Sequence, residues 1–243
     1  MGRNLNYIEI LKAVSIVIFL ALPPWFAMRK YLKNYISRAL LIITFIAYIA
    51  ATIFTQNVIP FIAVILTFYF AVKMKDNDEM LYYLRPLESK KEEIILYSFA
   101  FKFFTMIINI FFVMLLYKFG IKAKEQDIYN IFLKSGWGQT ILLVIMTVVT
   151  APIVEEFVFR HILYRGFKKK IGNVFSAILS SLLFTLLHFN IAGSISYFAV
   201  GIFNCYLYEK YGYRAAVINH FVFNFISVLM IILMKAFKLP NVV

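Results

Sequence analysis

The sequence predicts an all-α fold, a polytopic bundle of about eight transmembrane helices. Hydrophobic residues make up 63% of the 243-residue chain and charged residues only 15%, whereas soluble domains carry about 25% charged residues. The apolar residues are grouped in runs that approach the roughly 20 residues needed to cross a bilayer as a helix. Almost no polar stretch is long enough to form a soluble domain, so we interpret the whole chain as one membrane-embedded bundle.

Eight apolar runs supply the predicted spans. They are residues 10–28, 39–55, 57–73, 94–117, 139–165, 173–190, 193–208 and 214–235. Pro23 and Pro24 interrupt the first run, and the third and seventh runs are short, so seven spans is the alternative count. Basic residues precede the first run as they would in a signal peptide, but no small-x-small cleavage site follows, and we interpret it as a retained span.

The excess of positive charge lies in short loops between these runs. The formal net charge of +13 would by itself be compatible with nucleic acid binding. The basic residues, however, are concentrated at residues 29–38, 74–93, 166–172 and 209–213. This pattern is typical of cytoplasmic loops next to anionic lipid headgroups. It predicts a multi-pass integral membrane protein whose partner is the lipid bilayer, with no nucleic acid.

Two adjacent carboxylates and an arginine lie at the end of a long apolar run, where charges are costly. Glu156 and Arg160 are four residues apart, so on a helix they share a face and can form an ion pair. Glu155 points about 100° away and has no local partner. Glu156 is therefore predicted to be structural, and Glu155 to be available for chemistry. The alternative is that the segment is simply a helix end at the membrane interface. Pro152 is expected to kink the helix and free a backbone carbonyl.

Two of the three histidines lie in separate apolar runs. His188 is in one run, and His220 is in the last run with Asn224 one turn further on the same face. A single buried histidine is usually only hydrogen-bonded, but two of them together with a carboxylate pair indicate a functional cavity. A turn near residues 170–173 would bring Glu155 and His188 to the same depth, roughly 20 Å away. His220 lies only about 10 Å from the side of the membrane at which this turn lies. A tilted or broken helix is therefore required to bring His220 to the depth of Glu155 and His188.

Such a set of side chains can activate water in two ways. A carboxylate beside a neutral imidazole can hold and deprotonate a water molecule, while a second imidazole and a carboxamide donate to an oxyanion. Alternatively, Glu155, His188 and His220 are a two-histidine, one-carboxylate set suited to a divalent metal such as zinc. The only cysteine, Cys205, and the scattered serines have no comparable neighbours, so covalent catalysis is disfavoured.

The order of these motifs resembles a known family. Glu-Glu-x-x-x-Arg, then Phe-x-x-x-His, then His-x-x-x-Asn, each in its own span, resembles the CPBP intramembrane proteases. That family includes the type II CAAX prenyl endopeptidases and the bacterial Abi or bacteriocin-immunity proteins. The resemblance covers about residues 139–230. It implies N-terminal transmembrane helices and loops at 1–135 and a CPBP/Abi-type catalytic transmembrane core at 136–235.

The resemblance also implies a role for each polar residue. The implied catalytic residues are Glu155, His188, His220 and Asn224, with Glu156 and Arg160 in support. Glu155 would activate the water with His188, and His220 and Asn224 would stabilise the oxyanion. The family is commonly described as metalloproteases, in which Glu155, His188 and His220 would hold the metal. A glutamate-activated water without metal is an equal alternative.

One position departs from the family pattern. The family often has glycine directly after the arginine, where this chain has His161. His161 is expected to be either an interface histidine near the lysine run at 168–170 or an additional polar group at the cavity mouth.

The expected function is that of a CAAX-protease-like intramembrane endopeptidase acting on a membrane-associated peptide or a lipidated protein. The abundance of Lys, Ile, Asn, Phe and Tyr indicates an AT-rich genome and favours a bacterial plasma membrane. In that setting the resemblance implies peptide-signal processing or bacteriocin self-immunity.

Two other functions are alternatives to the endopeptidase. A catalytically silent membrane scaffold or regulator of the same fold is the principal alternative, although a binding scaffold has no need of all four catalytic residues. A proton-coupled carrier would use buried Glu and His as a relay, but carriers often consist of two corresponding halves, and the sequence contains no such repeat.

Overall fold

The computed structural model describes residues 7–55, 57–83, 85–87, 90–122 and 127–238. In these residues the chain is all-α, without strands. The α-helices are α1 (Tyr7–Ser15), α2 (Leu22–Leu32), α3 (Arg38–Thr55), α4 (Val58–Lys73), α5 (Asn77–Tyr83), α6 (Lys91–Lys118), α7 (Asp127–Lys134), α8 (Trp137–Val144), α9 (Ala151–Glu156), α10 (Arg165–Leu186), α11 (Ser194–Tyr211) and α12 (Tyr213–Ala236). Short π-helical segments join α1 to α2, α8 to α9 and α9 to α10. The predicted fold class is confirmed.

A helix lies in each of the eight predicted spans. Among the described residues, the helical segments that are long and apolar enough to cross a membrane are Glu9–Leu32, Arg38–Thr55, Lys91–Lys118, Trp137–Leu186 and Tyr213–Ala236. The third predicted span forms the shorter apolar helix α4. The chain is therefore an integral membrane protein. The span count of eight differs from these five segments because two predicted spans fall mainly within Trp137–Leu186, one forms the shorter helix α4, and one forms the 18-residue helix α11, which is not among the five.

The long segment Trp137–Leu186 folds back on itself at Gly172. This residue has φ 75° and ψ 174°, a left-handed region that glycine adopts without steric cost. The hydroxyl of Ser180 donates to the carbonyl of Phe159 at 2.6 Å, and the rings of Phe159 and Phe184 lie 5.3 Å apart. The two arms are therefore antiparallel neighbours, which confirms the predicted turn.

Two π-helical segments, Ile145–Thr150 and Phe157–Tyr164, flank α9. Such segments are rare and are often found at functional sites. In π register the N–H of residue 152 would donate to the carbonyl of Thr147, but Pro152 has no N–H. The Nδ2 of Asn224 supplies the missing donor at 2.9 Å. The carbonyl freed by the proline thus ties α12 to the helix that carries the glutamates.

Small residues bring α10 and α11 into close contact, as is common between membrane helices. A Cβ atom added to Gly201 would lie 2.6 Å from the Cβ of Ser181, so a larger residue would push the helices apart. The carbonyl of Gly201 accepts a hydrogen bond from Nη2 of Arg160 at 3.2 Å. The same close approach therefore positions the arginine predicted to support the site.

The apolar core surrounds the segment that carries the glutamates. The fully buried side chains of this segment are Val154, Phe157, Val158 and Phe159. They pack against residues of five other helical segments: Leu20, Val64, Phe184, Cys205 and Ala216. The segment that carries the carboxylates is therefore held in place by packing against several helices.

Candidate active site

Four of the predicted site residues converge from three parts of the chain. Glu155 and Glu156 lie on α9, His188 follows the end of α10, and His220 lies on α12. The Nε2 of His220 is 3.8 Å from Oε2 of Glu155, and its Nδ1 is 2.7 Å from Oε1 of Glu156. The ring of Phe184 contacts both histidines, with centroid distances of 4.6 Å to His188 and 5.6 Å to His220.

Glu156 is the carboxylate with the larger number of partners. Its side chain and that of Arg160 are both 0% exposed, and Oε2 lies 3.1 Å from Nε of the arginine, which confirms the predicted ion pair. Its Oε1 accepts hydrogen bonds from Nδ2 of Asn204 at 2.8 Å and from His220. Because an ionised carboxylate can only accept, Nδ1 of His220 must carry the hydrogen. Glu156 therefore fixes the orientation of His220.

Two asparagines complete this network and were not predicted from the sequence. Asn219 donates through Nδ2 to Oδ1 of Asn204 at 2.6 Å, and both side chains are buried. Asn204 lies inside the apolar helix α11, and Asn219 directly precedes His220. A carboxamide in an apolar span is energetically unfavourable unless it is hydrogen-bonded. The presence of asparagines in apolar helices was therefore the sequence signal that could have indicated this network.

Glu155 differs from its neighbour in having few partners. Its side chain is 13% exposed, and its one ion-pair distance is the 3.8 Å to His220. No other described side chain forms a hydrogen bond or ion pair with it, in agreement with the predicted available carboxylate. A carboxylate with free lone pairs at the edge of a polar network can accept a proton from a bound water.

His188 is oriented by the backbone of its own helix. Its Nδ1 lies 2.8 Å from the carbonyl of Phe184, and since a carbonyl can only accept, Nδ1 carries the hydrogen. In the neutral ring Nε2 is then an acceptor. The ring stacks on Tyr197, with centroids 4.2 Å apart. A Cβ on Gly193 would come within 2.6 Å of the Tyr197 ring, so this glycine is required for the stacking.

His161 does not belong to this site. It is 4% exposed, and its Nδ1 and Nε2 lie 2.9 Å from the Tyr208 hydroxyl and 2.8 Å from Oε2 of Glu79. Burial by itself would raise the pKa of the Glu79 carboxyl, but its hydrogen bonds to His161 and Tyr83 and the charge of Arg165 lower that pKa to about 2. His161 lines a polar cavity of about 260 Å³ together with Lys30, Arg165 and Lys169, so it lies next to the lysine run, as one of the two expected locations has it.

The predicted metal ligands do not form a ligand group. In the described part of the chain no three His, Cys, Asp or Glu side chains are spaced to hold one ion. The Nδ1 atoms of His188 and His220 are both engaged, with the carbonyl of Phe184 and the carboxylate of Glu156 respectively. This leaves Nε2 of each ring available, as in histidines that bind a metal through one nitrogen and donate a hydrogen bond through the other. The use of a divalent metal therefore stays a prediction, and we derive no step through a metal.

Comparison with known families agrees with the motifs. Residues 137–226 match the family model described as type II CAAX prenyl endopeptidase Rce1-like. The matched segment contains the hairpin with both glutamates, His188, and the part of α12 with His220 and Asn224. The predicted resemblance is thereby confirmed for this segment. The comparisons with curated proteins and with solved structures gave no match.

Proposed function

We propose that this chain, whose residues 137–226 form a type II CAAX prenyl endopeptidase Rce1-like domain, is an intramembrane endopeptidase in which Glu155 and His188 activate water. One observation carries the proposal. A carboxylate with free lone pairs and an imidazole with a free Nε2 lie beside a network in which Glu156 and Arg160 are already paired. Groups with unused hydrogen-bonding capacity are the ones that can act on a substrate.

The first step is attack of water on the scissile peptide bond. Water held by Glu155 and by Nε2 of His188 attacks the carbonyl carbon. As the O–C bond forms, Glu155 takes a proton from the water and the C=O electron pair moves to the oxygen. General-base assistance of this kind contributes about 10²–10⁴-fold to the rate.

The second step is collapse of the tetrahedral intermediate. In its protonated form His220 would keep Nδ1–H on Glu156 and donate Nε2–H to the oxyanion. Asn224 has two N–H donors, of which the bond to Thr147 uses one. The oxyanion then reforms the carbonyl, the C–N bond breaks, and the proton passes from Glu155 to the leaving amine. Loss of one oxyanion donor typically costs about 10²–10³-fold in kcat.

Metal dependence is a separate proposal with its own test. A bound zinc would supply Lewis-acid activation of water. Purified protein should be treated with a chelator, analysed for metal content and assayed before and after zinc is added back. Unchanged activity of metal-free protein would exclude the metal version, whereas loss of activity and its recovery with zinc would support it.

The proposed substrate is a membrane-associated peptide or a lipidated protein, because the site lies among transmembrane helices. The residue composition of the chain supports a bacterial plasma membrane. In that setting we propose peptide-signal processing or bacteriocin self-immunity as the physiological role. These roles rest on the family resemblance and on composition rather than on any one residue.

The test is loss of proteolysis in a Glu155→Gln protein. Membranes carrying wild-type or Glu155→Gln protein are compared by peptidomics, which reveals the substrate and the activity together. Glu209→Gln is the matched control, since that carboxylate is exposed and pairs with Lys168 away from the site. We expect Glu155→Gln to lose at least about 100-fold in rate and Glu209→Gln to retain activity. Equal cleavage by wild-type and Glu155→Gln protein would overturn the mechanism.

The silent scaffold makes a different prediction in the same experiment. A scaffold would bind a membrane partner without cleaving it, so the wild-type and Glu155→Gln peptide profiles would be identical while a bound peptide co-purified with both. That result would replace the endopeptidase proposal with the scaffold.

A further inference from the structure

Two arginines in the first basic loop region have no acidic partner. Arg29 lies in the last turn of α2, and Arg38 is the first residue of α3. Both are exposed, and among the described residues no carboxylate forms an ion pair or hydrogen bond with either of them. The neighbouring Lys30, by contrast, is paired with Asp76 at 2.6 Å. Two guanidinium charges are therefore available to an anion from outside the chain.

Both arginines line one cavity between α2 and α3. The cavity has a volume of about 390 Å³, within the range typical of ligand sites. The rest of its lining is apolar and consists of Trp25, Phe26, Leu41, Ile42 and Phe45. We call this space the α2–α3 cavity. It has a cationic end and an apolar wall, which together match an amphiphile with an anionic head.

The apolar wall of the α2–α3 cavity is held in a fixed shape by aromatic packing. Trp25 is 3% exposed, and its ring centroid lies 5.4 Å from that of Phe45 and 5.1 Å from that of Tyr48. The hydroxyl of Tyr48 donates to the carbonyl of Ala21 at 2.9 Å, which ties α3 to the start of α2. The wall is therefore ordered before a ligand binds, and this lowers the entropic cost of binding.

The cationic and apolar parts of the cavity lie at different depths. Along α3, Phe45 lies seven residues beyond Arg38, which is roughly 10 Å at 1.5 Å per residue. The arginines lie near the adjoining ends of the membrane-spanning segments Glu9–Leu32 and Arg38–Thr55, where lipid headgroups meet the hydrocarbon. A lipid whose phosphate contacts the arginines therefore has its acyl chains beside the apolar wall.

We propose that the α2–α3 cavity binds one phospholipid of net negative charge, with its phosphate on Arg29 and Arg38 and an acyl chain against Trp25 and Phe45. Guanidinium groups match phosphate oxygens in geometry as well as in charge, and basic pockets between transmembrane helices bind anionic headgroups. A zwitterionic lipid binds less well, because its ammonium group would approach two positive charges.

This lipid site is separate from the proposed active site. All the residues that line the α2–α3 cavity lie on α2 and α3, whereas Glu155, His188 and His220 lie on α9, just after α10 and on α12. The bound lipid is therefore a stable component of the folded protein and not its substrate. The inference does not depend on the endopeptidase function.

Native mass spectrometry of the purified full-length protein tests the selectivity for charge. The protein in detergent is mixed with equal amounts of anionic dioleoyl phosphatidylglycerol and zwitterionic dioleoyl phosphatidylcholine, which have the same acyl chains. Wild-type protein should retain one phosphatidylglycerol at least about tenfold more often than phosphatidylcholine, as charge-assisted hydrogen bonds imply. The double variant Arg29→Gln, Arg38→Gln should bind the two lipids equally.

The matched control removes the same amount of charge elsewhere. The double variant Lys75→Gln, Lys170→Gln changes two exposed lysines of other basic loops, neither of which lines the cavity, and it should keep the preference. The unfolding temperature without lipid is the folding control. If the double arginine variant is destabilised, the single variants Arg29→Gln and Arg38→Gln replace it, and each should lose part of the preference.

Thermal unfolding supplies a second readout and separates a lipid from free phosphate. Phosphatidylglycerol should raise the unfolding temperature of the wild-type protein and of the lysine variant by a few degrees, because a ligand that binds only the folded state stabilises it. It should leave the arginine variant unchanged. Phosphatidylcholine should have no such effect, and neither should glycerol 3-phosphate, which carries the phosphate without an acyl chain.

Three results would overturn the proposal. A preference for phosphatidylglycerol that survives in the arginine variants would place the lipid elsewhere. A preference lost equally in the arginine and lysine variants would mean that the general surface charge attracts the lipid. Equal stabilisation by glycerol 3-phosphate and phosphatidylglycerol would make the cavity a site for free phosphate.

Discussion

Two histidines, His161 and His188, have similar aromatic neighbours and very different bonding. Each ring lies against a tyrosine, Tyr83 at 4.1 Å and Tyr197 at 4.2 Å between ring centroids. Both nitrogens of His161 are engaged by side chains, whereas His188 engages only Nδ1, with a backbone carbonyl. Aromatic stacking therefore does not distinguish the two histidines, whereas the ring nitrogen that His188 leaves without a hydrogen bond does.

The two clusters also differ in what they connect. His161 joins Glu79 of α5 to Tyr208 of α11, and Lys30 of α2 lies 3.9 Å from the same glutamate. This cluster fastens three helices to the hairpin on the side of the basic loops. The cluster around His188 and His220 instead leaves the Glu155 carboxylate open. The first arrangement is typical of structural support and the second of catalysis.

The largest expected effect comes from replacing each of the two histidines singly by glutamine and comparing the two variants. His188→Gln removes the imidazole proposed to hold the water with Glu155, and we expect a loss of at least about 100-fold in kcat/KM. His161→Gln should keep kcat/KM within about tenfold but lower the thermal unfolding temperature, because it loses contacts to Tyr208 and Glu79. The assay is cleavage of the substrate found by peptidomics. A larger activity loss in His161→Gln than in His188→Gln would reverse the assignment.

The next effect concerns stability and comes from Arg160→Met. The change leaves the carboxylate of Glu156 fully buried without its counter-ion, and breaking such a pair costs about 3–5 kcal/mol. Thermal and denaturant unfolding in detergent would measure the loss. Lys168→Met, which breaks an exposed pair with Glu209, is the matched control and should change stability by less than about 1 kcal/mol. Comparable losses of unfolding free energy in both variants would contradict the conclusion that burial makes the loss of the Arg160 charge more destabilising.

Much of the fold could be predicted from the sequence because each predictive signal was local. Apolar runs identified every span region, and the spacing of Glu155 and His188 around residues 170–173 predicted the hairpin that Gly172 makes. The π-helical segments were not predicted, because no local pattern in the sequence indicated them. The partner of the Thr147 carbonyl was not predictable either, because it is Asn224, 77 residues away.

The site residues that could be predicted from the sequence are those with charged or titratable side chains in apolar runs. Glu155, Glu156, His188 and His220 do converge. Asn204 and Tyr197 were missed, since polar or aromatic residues in a span have many structural uses and only contacts across helices reveal their role.

The smallest expected effect tests the structural cluster by pH. The pKa of Glu79 is lowered to about 2 in the folded protein from an ordinary value of 4.5. Its ionised form therefore stabilises the fold fully above about pH 4.5, and this contribution is lost as the pH falls from there towards 2. The unfolding temperature of wild-type protein should exceed that of Glu79→Gln by a few degrees at pH 7, and the difference should shrink at pH 3. Glu92→Gln, at an exposed position of α6, should show no such change. A constant difference for Glu79→Gln between pH 7 and pH 3 would mean that the carboxylate charge does not hold the cluster together.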